Sequence, residues 1–240
     1  MFDPVAAAAR IREHYERVWS AGDAWDFESS PFESERFDFL VGLIGDRRYG
    51  RAVEIGCGSG CFTARLRALA ERVQAIDVAA AAIERARQRP GQGAGTVEFV
   101  VANCMEHDFH AGGPCDLIVL AETVYSLGWL YPLFDLGMFA LHLREALAPG
   151  GRLLLANTYG AERDWLMRPF LIDTYRDLFV HVGLVVERET LFEGVKDGER
   201  FRVLATLLQP GPTPEEPGRA PQSPLRIDSV TRGTGPGTLS

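Results

Sequence analysis

A glycine-rich turn preceded by an acidic residue carries the clearest chemical signal in this sequence. The segment 54–60, EIGCGSG, lies between a predicted strand at 51–55 and a predicted helix at 62–70. Glycines there let the chain turn sharply at positive φ and let a ligand approach the backbone without meeting a Cβ atom. The pattern predicts a nucleotide-binding turn whose ligand contacts are Glu54, Gly56, Cys57, Gly58 and Gly60.

Asp77 stands near the end of the second predicted strand, 73–78, where nucleotide-binding folds place an acidic residue. At about 20 residues after the first glycine of the turn, a carboxylate can accept hydrogen bonds from both ribose hydroxyls. The structural alternative is a tight turn followed by an unrelated surface aspartate. The order of strand, turn, helix, strand and acid favours ribose binding.

The spacing of the glycines distinguishes two kinds of ligand. A dinucleotide turn has the form G-x-G-x-x-G with a helix N-terminus facing a pyrophosphate, whereas this turn is G-x-G-x-G with Glu54 two residues ahead of it. A carboxylate at that point suits a cationic ligand. On these residues, and over about 51–208, the sequence resembles the class I S-adenosylmethionine-dependent methyltransferases. The resemblance implies S-adenosylmethionine as cofactor and S-adenosylhomocysteine as product.

Further positions match that family. Val78 resembles the apolar residue under the adenine, while Asn103, Cys104 and Met105 resemble the segment that borders the adenine edge. Asn103 stands where the family more often has aspartate, and its amide carbonyl can still accept a hydrogen bond from the adenine amine. The resemblance therefore implies further cofactor contacts at these four residues.

A narrower resemblance is to the nodulation N-methyltransferase (NodS-like) group. It rests on three short segments, DAWDF at 23–27, SPFE at 30–33 and AETVY at 121–125. The enzymes of that group methylate an amine on a sugar. The resemblance therefore implies a small polar acceptor, such as an amine on a sugar or a natural product.

Glu122 and Tyr125 are the candidate catalytic residues. Glu122 directly follows the fourth predicted strand, 115–121, at the edge where open α/β sheets bind ligands. Its carboxylate can bind an ammonium group and take its proton, whereas a hydroxyl acceptor would call for a more basic arrangement. Tyr125 and Trp129 follow on the same predicted loop and either line the acceptor pocket or simply pack. His107 and His110 are reserve candidates for a base, although solvated loop histidines are the simpler interpretation.

The elements that position these residues alternate between strand and helix. Two β-rich runs near the end, 184–192 and 199–208, are too close together for a crossover helix and must be antiparallel neighbours. We therefore expect an α/β fold, a Rossmann-like seven-stranded and mostly parallel sheet with an antiparallel last strand and helices on both faces. The remaining predicted strands are 51–55, 73–78, 97–102, 115–121 and 152–157, and the predicted helices of this part are 62–70, 79–88, 133–147 and 164–182.

Three segments follow from the change of pattern along the chain. Residues 1–45 are predicted to form an N-terminal helical cap or lid with helices at about 5–19 and 32–44. Residues 46–209 form the predicted methyltransferase domain, and 210–240 a Pro/Gly-rich disordered tail. In the cap, Trp25 and Phe32 are either a hydrophobic clasp or part of a lid that closes over the cofactor. The lid, with Trp25 as a cofactor contact, is the preferred interpretation.

Composition excludes several classes of function. The chain has 240 residues, 46% of them hydrophobic, which is enough for one sizeable core. A formal net charge of −8 argues against nucleic acid as a partner. No apolar run approaches the roughly 20 residues of a membrane span, and no signal peptide is recognisable, so we expect a soluble cytoplasmic protein. The four cysteines have no zinc-site spacing, and no metal is predicted.

Two other functions remain as alternatives. An NAD-dependent oxidoreductase would share the strand and helix order, but the glycine spacing and the terminal strand pair argue against it. A non-catalytic module would bind the cofactor and act on a protein partner through the Pro-rich tail. The sequence leaves open the identity of the acceptor, methylation of nitrogen against oxygen, and the oligomeric state.

Overall fold

The computed structural model describes residues 2–89, 93–160 and 165–211, and it contains one seven-stranded sheet flanked by helices. The strands are β1 (Tyr49–Ile55), β2 (Ala70–Asp77), β3 (Thr96–Val101), β4 (Cys115–Ala121), β5 (Leu147–Thr158), β6 (Leu184–Lys196) and β7 (Glu199–Pro210). The helices are α1 (Pro4–Ala21), α2 (Pro31–Ile44), α3 (Cys61–Leu66), α4 (Ala80–Gln88), α5 (Val124–Leu130), α6 (Leu133–Ala146) and α7 (Pro169–His181), with a 3₁₀ turn at Trp165–Met167.

The strand order is β3-β2-β1-β4-β5-β7-β6, and β1 to β5 run parallel. β7 is antiparallel to both of its neighbours. The order reverses between β1 and β4, which makes their carboxyl ends the switch point where such sheets bind ligands. The prediction of a Rossmann-like, mostly parallel sheet with an antiparallel last strand is confirmed.

The centre of the sheet is covered on both faces. Leu117, Ile118, Val119 and Leu120 of β4 are fully buried, as expected for a continuous apolar run in a parallel sheet. Alternate β4 residues join two separate core clusters because successive side chains point to opposite faces. One cluster includes side chains of α6 and α7, and the other includes side chains of α2 and α3.

The first two helices begin with local capping signals. The Asp3 carboxylate accepts hydrogen bonds from two backbone N–H groups of the first turn of α1, and Pro4 follows at the first helical position. Pro31 likewise opens α2, but the Ser30 side chain makes no capping hydrogen bond there. The division of the chain into cap, domain and tail stays a prediction. The predicted tail lies outside the described residues beyond Gly211, and Pro210 is the last residue of β7.

Three local predictions were wrong. The helix predicted for 62–70 ends at Leu66, because β2 begins at Ala70 and pairs there with Tyr49 of β1. The predicted loop carrying Tyr125 and Trp129 is the helix α5. The helix predicted for 164–182 begins only at Pro169, which is favoured at a first helical position; residue 164 lies outside the described ranges.

No helix within the described ranges combines the length and the apolar character needed to cross a membrane.

Candidate active site

A cavity of about 290 Å³ opens at the carboxyl edge of the sheet, where β1 and β4 end. Its walls come from the glycine turn, from α1, α2 and α5, and from the β6–β7 hairpin. The predicted site residues among its lining are Trp25, Glu54, Gly56, Cys57, Gly58, Asp77, Val78, Asn103, Cys104, Glu122 and Tyr125. The topology therefore brings together residues that lie far apart in the sequence.

The glycine turn has the backbone conformation that its sequence predicts. Gly56 and Gly58 have φ of 76° and 53°, in the left-handed region that favours glycine. A Cβ atom on Gly58 would lie 2.7 Å from the Trp19 ring, and one on Gly56 would clash with the Thr123 hydroxyl. α1 thus packs directly on the turn, and the close approach requires glycine at both positions.

Gly60 and Met105 are not brought to the cavity. Gly60 backs onto α4, where an added Cβ atom would lie 3.0 Å from the Ala86 Cβ. This contact makes Gly60 a packing residue between the turn and a helix. Met105 packs against the core cluster on the α6 side of the sheet. Their predicted contacts with the cofactor find no support in this geometry.

Asp77 is a buried acid at the end of β2 and not a surface residue. Its Oδ2 accepts a hydrogen bond from the Gly58 N–H at 2.9 Å, and its Oδ1 accepts one from the Ala79 N–H at 2.9 Å. Burial raises the pKa of its carboxyl group to about 6. Each oxygen keeps a lone pair, so the carboxylate can also accept hydrogen bonds from a ligand.

Glu54 is a buried carboxyl group that lacks a cationic partner among the described residues. Its Oε2 accepts a hydrogen bond from the Thr63 hydroxyl at 2.5 Å, and only 3% of the residue is exposed. Burial raises the pKa of Glu54 to about 8. Since an uncompensated buried charge is costly, a cationic ligand group in the cavity would stabilise the ionised form.

The segment after β3 is held by the Asn103 side chain. Its Nδ2 donates to Glu106 at 3.0 Å and to the Tyr131 hydroxyl at 3.1 Å, while its Oδ1 accepts from the Met105 N–H at 3.2 Å. The amide therefore shapes the loop whether or not it also meets a ligand. Beside it, burial raises the pKa of the Cys104 thiol to about 12, so this thiol is not a nucleophile at neutral pH.

Glu122 lies in the cavity in a backbone conformation that is uncommon for a residue with a side chain. Its φ is 56°, a conformation that costs energy for a residue other than glycine and often occurs at functional sites. Its Oε2 accepts from the Thr158 N–H at 3.1 Å and its Oε1 lies 3.3 Å from Arg36 Nη1. Burial and the nearby Glu122 carboxylate raise the pKa of the Tyr125 hydroxyl group. Burial raises the pKa of Glu122, and the Arg36 charge opposes that rise.

Sequence reasoning missed the buried charges of α2. Arg36 is 3% exposed and lies 2.6 Å from Glu33, and Lys196 from the β6–β7 hairpin reaches Glu33 at 2.9 Å. Glu33, Arg36, Phe37 and Leu40 are buried residues of α2 at the i, i+3, i+4, i+7 spacing of one helical face. The sequence could have revealed them, since Glu33 and Arg36 occupy the positions of this helical face that point to the core.

The aromatic residues of the first segment both line the cavity and contact one another. Trp25 stacks on Phe27 with ring centroids 5.6 Å apart, and it meets Trp19 edge-on at 5.2 Å. Phe32 packs against Phe192 of β6 at 5.6 Å. The lid and the hydrophobic clasp are therefore compatible with the same contacts. Another cavity-lining pair, Tyr15 and Ser126, was not foreseen; its hydroxyl oxygens lie 2.6 Å apart.

The reserve candidates lie elsewhere. His107 contacts Gln74 at 3.2 Å, His110 is exposed, and neither lines the cavity. Trp129 is 49% exposed and points its ring towards His14 of α1, with centroids 6.1 Å apart. Among the described residues there is no group of three or more His, Cys, Asp or Glu side chains that could hold a metal.

Comparison with known proteins identifies similar chains. The model of the nodulation protein S (NodS) family matches residues 7–149. Nodulation protein S of Rhizobium tropici is 34% identical over 149 residues, which is 62% of this chain and 58% of that protein. Nodulation protein S of Bradyrhizobium diazoefficiens is 33% identical over 152 residues, 62% of this chain and 67% of that protein. The match thus spans less than two thirds of the Rhizobium tropici protein.

Solved structures show the same fold. The crystal structure of the N-methyltransferase NodS from Bradyrhizobium japonicum WM9, in complex with S-adenosyl-L-homocysteine, superposes with a TM-score of 0.68 at 24% identity. The superposition covers 83% of this chain and 98% of that one. The chain therefore has the Rossmann-like fold of S-adenosylmethionine-dependent methyltransferases.

Proposed function

Because this chain belongs to the nodulation protein S family, we propose that it transfers a methyl group from S-adenosylmethionine to a nitrogen of a small-molecule acceptor. The observation that carries the proposal is the cavity at the switch point, where the glycine turn, Asp77 and Glu122 meet. Glu122 supports nitrogen over oxygen, since a carboxylate binds an ammonium group and accepts its proton more readily than it deprotonates a hydroxyl. An amine on a sugar or a natural product is the acceptor class we propose.

The donor groups in the cavity suit S-adenosylmethionine. Glu54 and Asp77 are buried carboxyl groups in its lining, and the Glu122 side chain there is 15% exposed. Of these three residues, Glu122 alone has a cationic partner among the described residues, Arg36. A ligand that brings positive charge would offset the cost of ionising them. S-Adenosylmethionine supplies a methyl group that is already activated by a sulfonium charge. The protein then has to bind the cofactor and the acceptor, orient them towards each other and exclude water.

Each part of the cofactor has a candidate partner in this chain. Asp77 is positioned to accept hydrogen bonds from ribose hydroxyls through lone pairs that its two backbone N–H donors leave free. Val78 and Cys104 provide apolar surface for an adenine ring. Glu54, Gly56 and Gly58 also line the cavity, and we propose that they receive the cationic methionine end.

Glu122 is the group we propose to act on the acceptor. Its carboxylate lines the cavity and is fixed by the Thr158 N–H and by Arg36. In the proposed reaction the acceptor nitrogen forms a bond to the methyl carbon as the bond from carbon to sulfur breaks. S-Adenosylhomocysteine leaves, and Glu122 has taken the proton of the ammonium group before the nitrogen attacks. Tyr125 lines the same cavity, where burial and the Glu122 carboxylate raise the pKa of its hydroxyl group.

Calorimetric titration with S-adenosylmethionine, S-adenosylhomocysteine and NADH in parallel tests the cofactor first. We expect micromolar binding of the two sulfur compounds and no heat from NADH. Binding of NADH alone would support the oxidoreductase alternative. A panel of amino sugars and alkyl or aryl amines, each paired with its hydroxyl analogue, then tests the acceptor by measuring release of S-adenosylhomocysteine. Turnover of hydroxyl compounds alone would contradict nitrogen as the acceptor atom.

A further inference from the structure

Four charged side chains from three distant parts of the chain form a continuous row beside the cavity. Lys196 Nζ lies 2.9 Å from Glu33 Oε1, Arg36 Nη2 lies 2.6 Å from Glu33 Oε2, and Arg36 Nη1 lies 3.3 Å from Glu122 Oε1. The side chains are 14%, 7%, 3% and 15% exposed in the order Lys196, Glu33, Arg36 and Glu122. The charges alternate in sign, so the row joins the β6–β7 hairpin to the end of β4 through α2.

Arg36 is held in one orientation. Its Nε and Nη2 both donate to Glu33 Oε2, at 2.8 and 2.6 Å, which leaves Nη1 for Glu122. The guanidinium also lies over the Phe37 ring at 4.7 Å and the Phe27 ring at 5.7 Å. A planar group bonded along two edges and stacked on aromatic rings cannot turn without losing several contacts.

Burial of such a row contributes little to stability by itself. The desolvation of buried ions largely cancels their attraction, and well-packed apolar residues often stabilise a fold as much or more. The gain from a buried ion pair is instead a fixed position for a particular group. In this row that group is Glu122, since it is the member that lies in the strained backbone conformation at the end of β4.

The row also reaches beyond the part of the chain that the family model matches. Glu33, Arg36 and Glu122 lie within residues 7–149, whereas Lys196 and Thr158 lie outside that range. Lys196 additionally donates a hydrogen bond to the Trp25 carbonyl group. The β6–β7 hairpin therefore contributes, through Lys196, to holding the Glu33–Arg36 pair that contacts Glu122.

We propose that Arg36, held by Glu33 and Lys196, is a positioning residue that keeps the Glu122 carboxylate ionised and aimed at the acceptor nitrogen. This inference rests on the proposed methyl transfer to an amine. An ionised Glu122 attracts the protonated amine to the cavity and can then take its proton before the nitrogen attacks. A protonated Glu122 would do neither.

The charges around Glu122 give the sign of the expected effect. Arg36 from α2 and the N–H and hydroxyl groups of Thr158 from β5 lower the pKa of Glu122, whereas burial and the Glu33 carboxylate raise it. The phenols of Tyr15 from α1 and Tyr125 from α5 also face it. Removal of the Arg36 charge takes away the strongest of the influences that lower the pKa of Glu122. Burial and Glu33 remain, so the pKa of Glu122 should rise.

The test is the titration of Glu122 in the protein labelled with carbon-13 at glutamate carboxyl groups, followed by infrared spectroscopy in the presence of S-adenosylhomocysteine. The Glu122 band is assigned by its loss in Glu122→Gln. We expect Arg36→Met to raise the midpoint by about one to two units. Two milder variants should each raise the Glu122 midpoint by about half a unit or more. Arg36→Lys keeps the charge but loses the planar fork, and Lys196→Met leaves Arg36 in place.

Arg65→Met is the matched control. Arg65 also forms an ion pair, at 2.7 Å with Asp38, and also lies over the Phe37 ring, at 5.4 Å, but it is not hydrogen-bonded to Glu122. The Glu122 midpoint in Arg65→Met should equal that in the wild-type protein. If Arg36→Met does not fold, Arg36→Lys and Lys196→Met decide the question. An unchanged midpoint in both, even with a lowered melting temperature, would leave Arg36 a structural residue and overturn the proposal.

Failure of this inference can be told apart from failure of the proposed function. The titration needs no acceptor, and cofactor binding is measured separately on the wild-type protein. If the wild-type protein binds S-adenosylhomocysteine and the Glu122 midpoint does not respond to Arg36, the proposed function stands and the positioning role is refuted. With an amine acceptor identified, the acid limb of the pH dependence of kcat/KM should move with the midpoint in Lys196→Met.

Discussion

Replacement of Asp77 by asparagine should weaken cofactor binding without unfolding the protein. The carboxylate has two acceptor oxygens, which already accept one backbone N–H each at 2.9 Å. Asparagine keeps the size of the side chain but has a single acceptor oxygen, so it loses one of the two backbone hydrogen bonds and at least one hydrogen bond from a ligand hydroxyl to a charged group. The expected cost is about 1.5–3 kcal/mol, which corresponds to a Kd raised by about 10- to 150-fold.

Calorimetry at pH 8 is the appropriate assay, because the pKa of Asp77 is about 6 and the carboxyl group is then ionised in the wild-type protein. Asp116→Asn is the matched control. Asp116 also accepts a backbone hydrogen bond, from the Arg51 N–H at 2.8 Å, but it does not line the cavity. Its replacement should leave the Kd for S-adenosylhomocysteine unchanged.

A ligand analogue locates the lost interaction on the ribose. S-Adenosylhomocysteine lacking both ribose hydroxyls should bind the wild-type protein more weakly than the parent compound. The same two ligands should bind Asp77→Asn with nearly equal affinity, because the partner of the hydroxyls is gone. If the variant discriminates between the ligands as strongly as the wild-type protein does, Asp77 does not bind the ribose and the reasoning from its position is refuted.

Three further predictions concern other parts of the cavity. Glu122→Gln should lower kcat with an amine acceptor by about 10²- to 10⁴-fold and leave the affinity for S-adenosylhomocysteine unchanged in calorimetry. If kcat and this affinity fell by the same factor, Glu122 would be a cofactor-binding residue and not a group that acts on the acceptor. Glu54→Gln should stabilise the ligand-free protein above pH 8 and not below pH 4, by a few kcal/mol, because burial raises the pKa of Glu54 to about 8. The folded wild-type protein holds this proton more tightly than the unfolded state does, so its free energy of unfolding falls as the pH rises from about 4.5 to 8. A difference in melting temperature between variant and wild type that stays flat across that range would be inconsistent with this reasoning. In urea unfolding, Gly58→Ala should destabilise the fold by about 1–3 kcal/mol more than Gly150→Ala does. Both glycines have positive φ, but of the two only Gly58 faces a side chain, that of Trp19. Equal losses of unfolding free energy in the two variants would exclude the clash with Trp19.

The succession of strands and helices along the chain and the nucleotide-type turn were accessible from sequence because their signals are local. The run 115–121 is apolar throughout, which identifies a strand buried on both faces, and its observed burial agrees. The positive φ of Gly56 and Gly58 likewise follows from residue type. The helix α5 was missed because seven residues with an internal glycine give a weak periodic signal, and packing against α7 stabilises them instead.

Residue contacts across the fold were not accessible in the same way. Gly60 shares the spacing of Gly56 and Gly58, yet it faces α4 and not the cavity. The sequence pattern records which residues are glycine, but the direction each one faces depends on the helix that packs against the turn. Asn103 lines the cavity as predicted, but the sequence did not reveal that its side chain also bonds Glu106 and Tyr131.

Sequence alone determined the class of fold, the turn and the acid at Asp77, because each depends on residue types at fixed short spacing along one or two elements. Only the tertiary structure decided the row from Lys196 to Glu122, whose ends lie 74 positions apart in the chain and meet through the Glu33–Arg36 pair of α2. The physical reason is that a buried charge is stable only beside its partner. Partners that come from different elements are specified by packing of the whole sheet and its helices, and no local pattern encodes them.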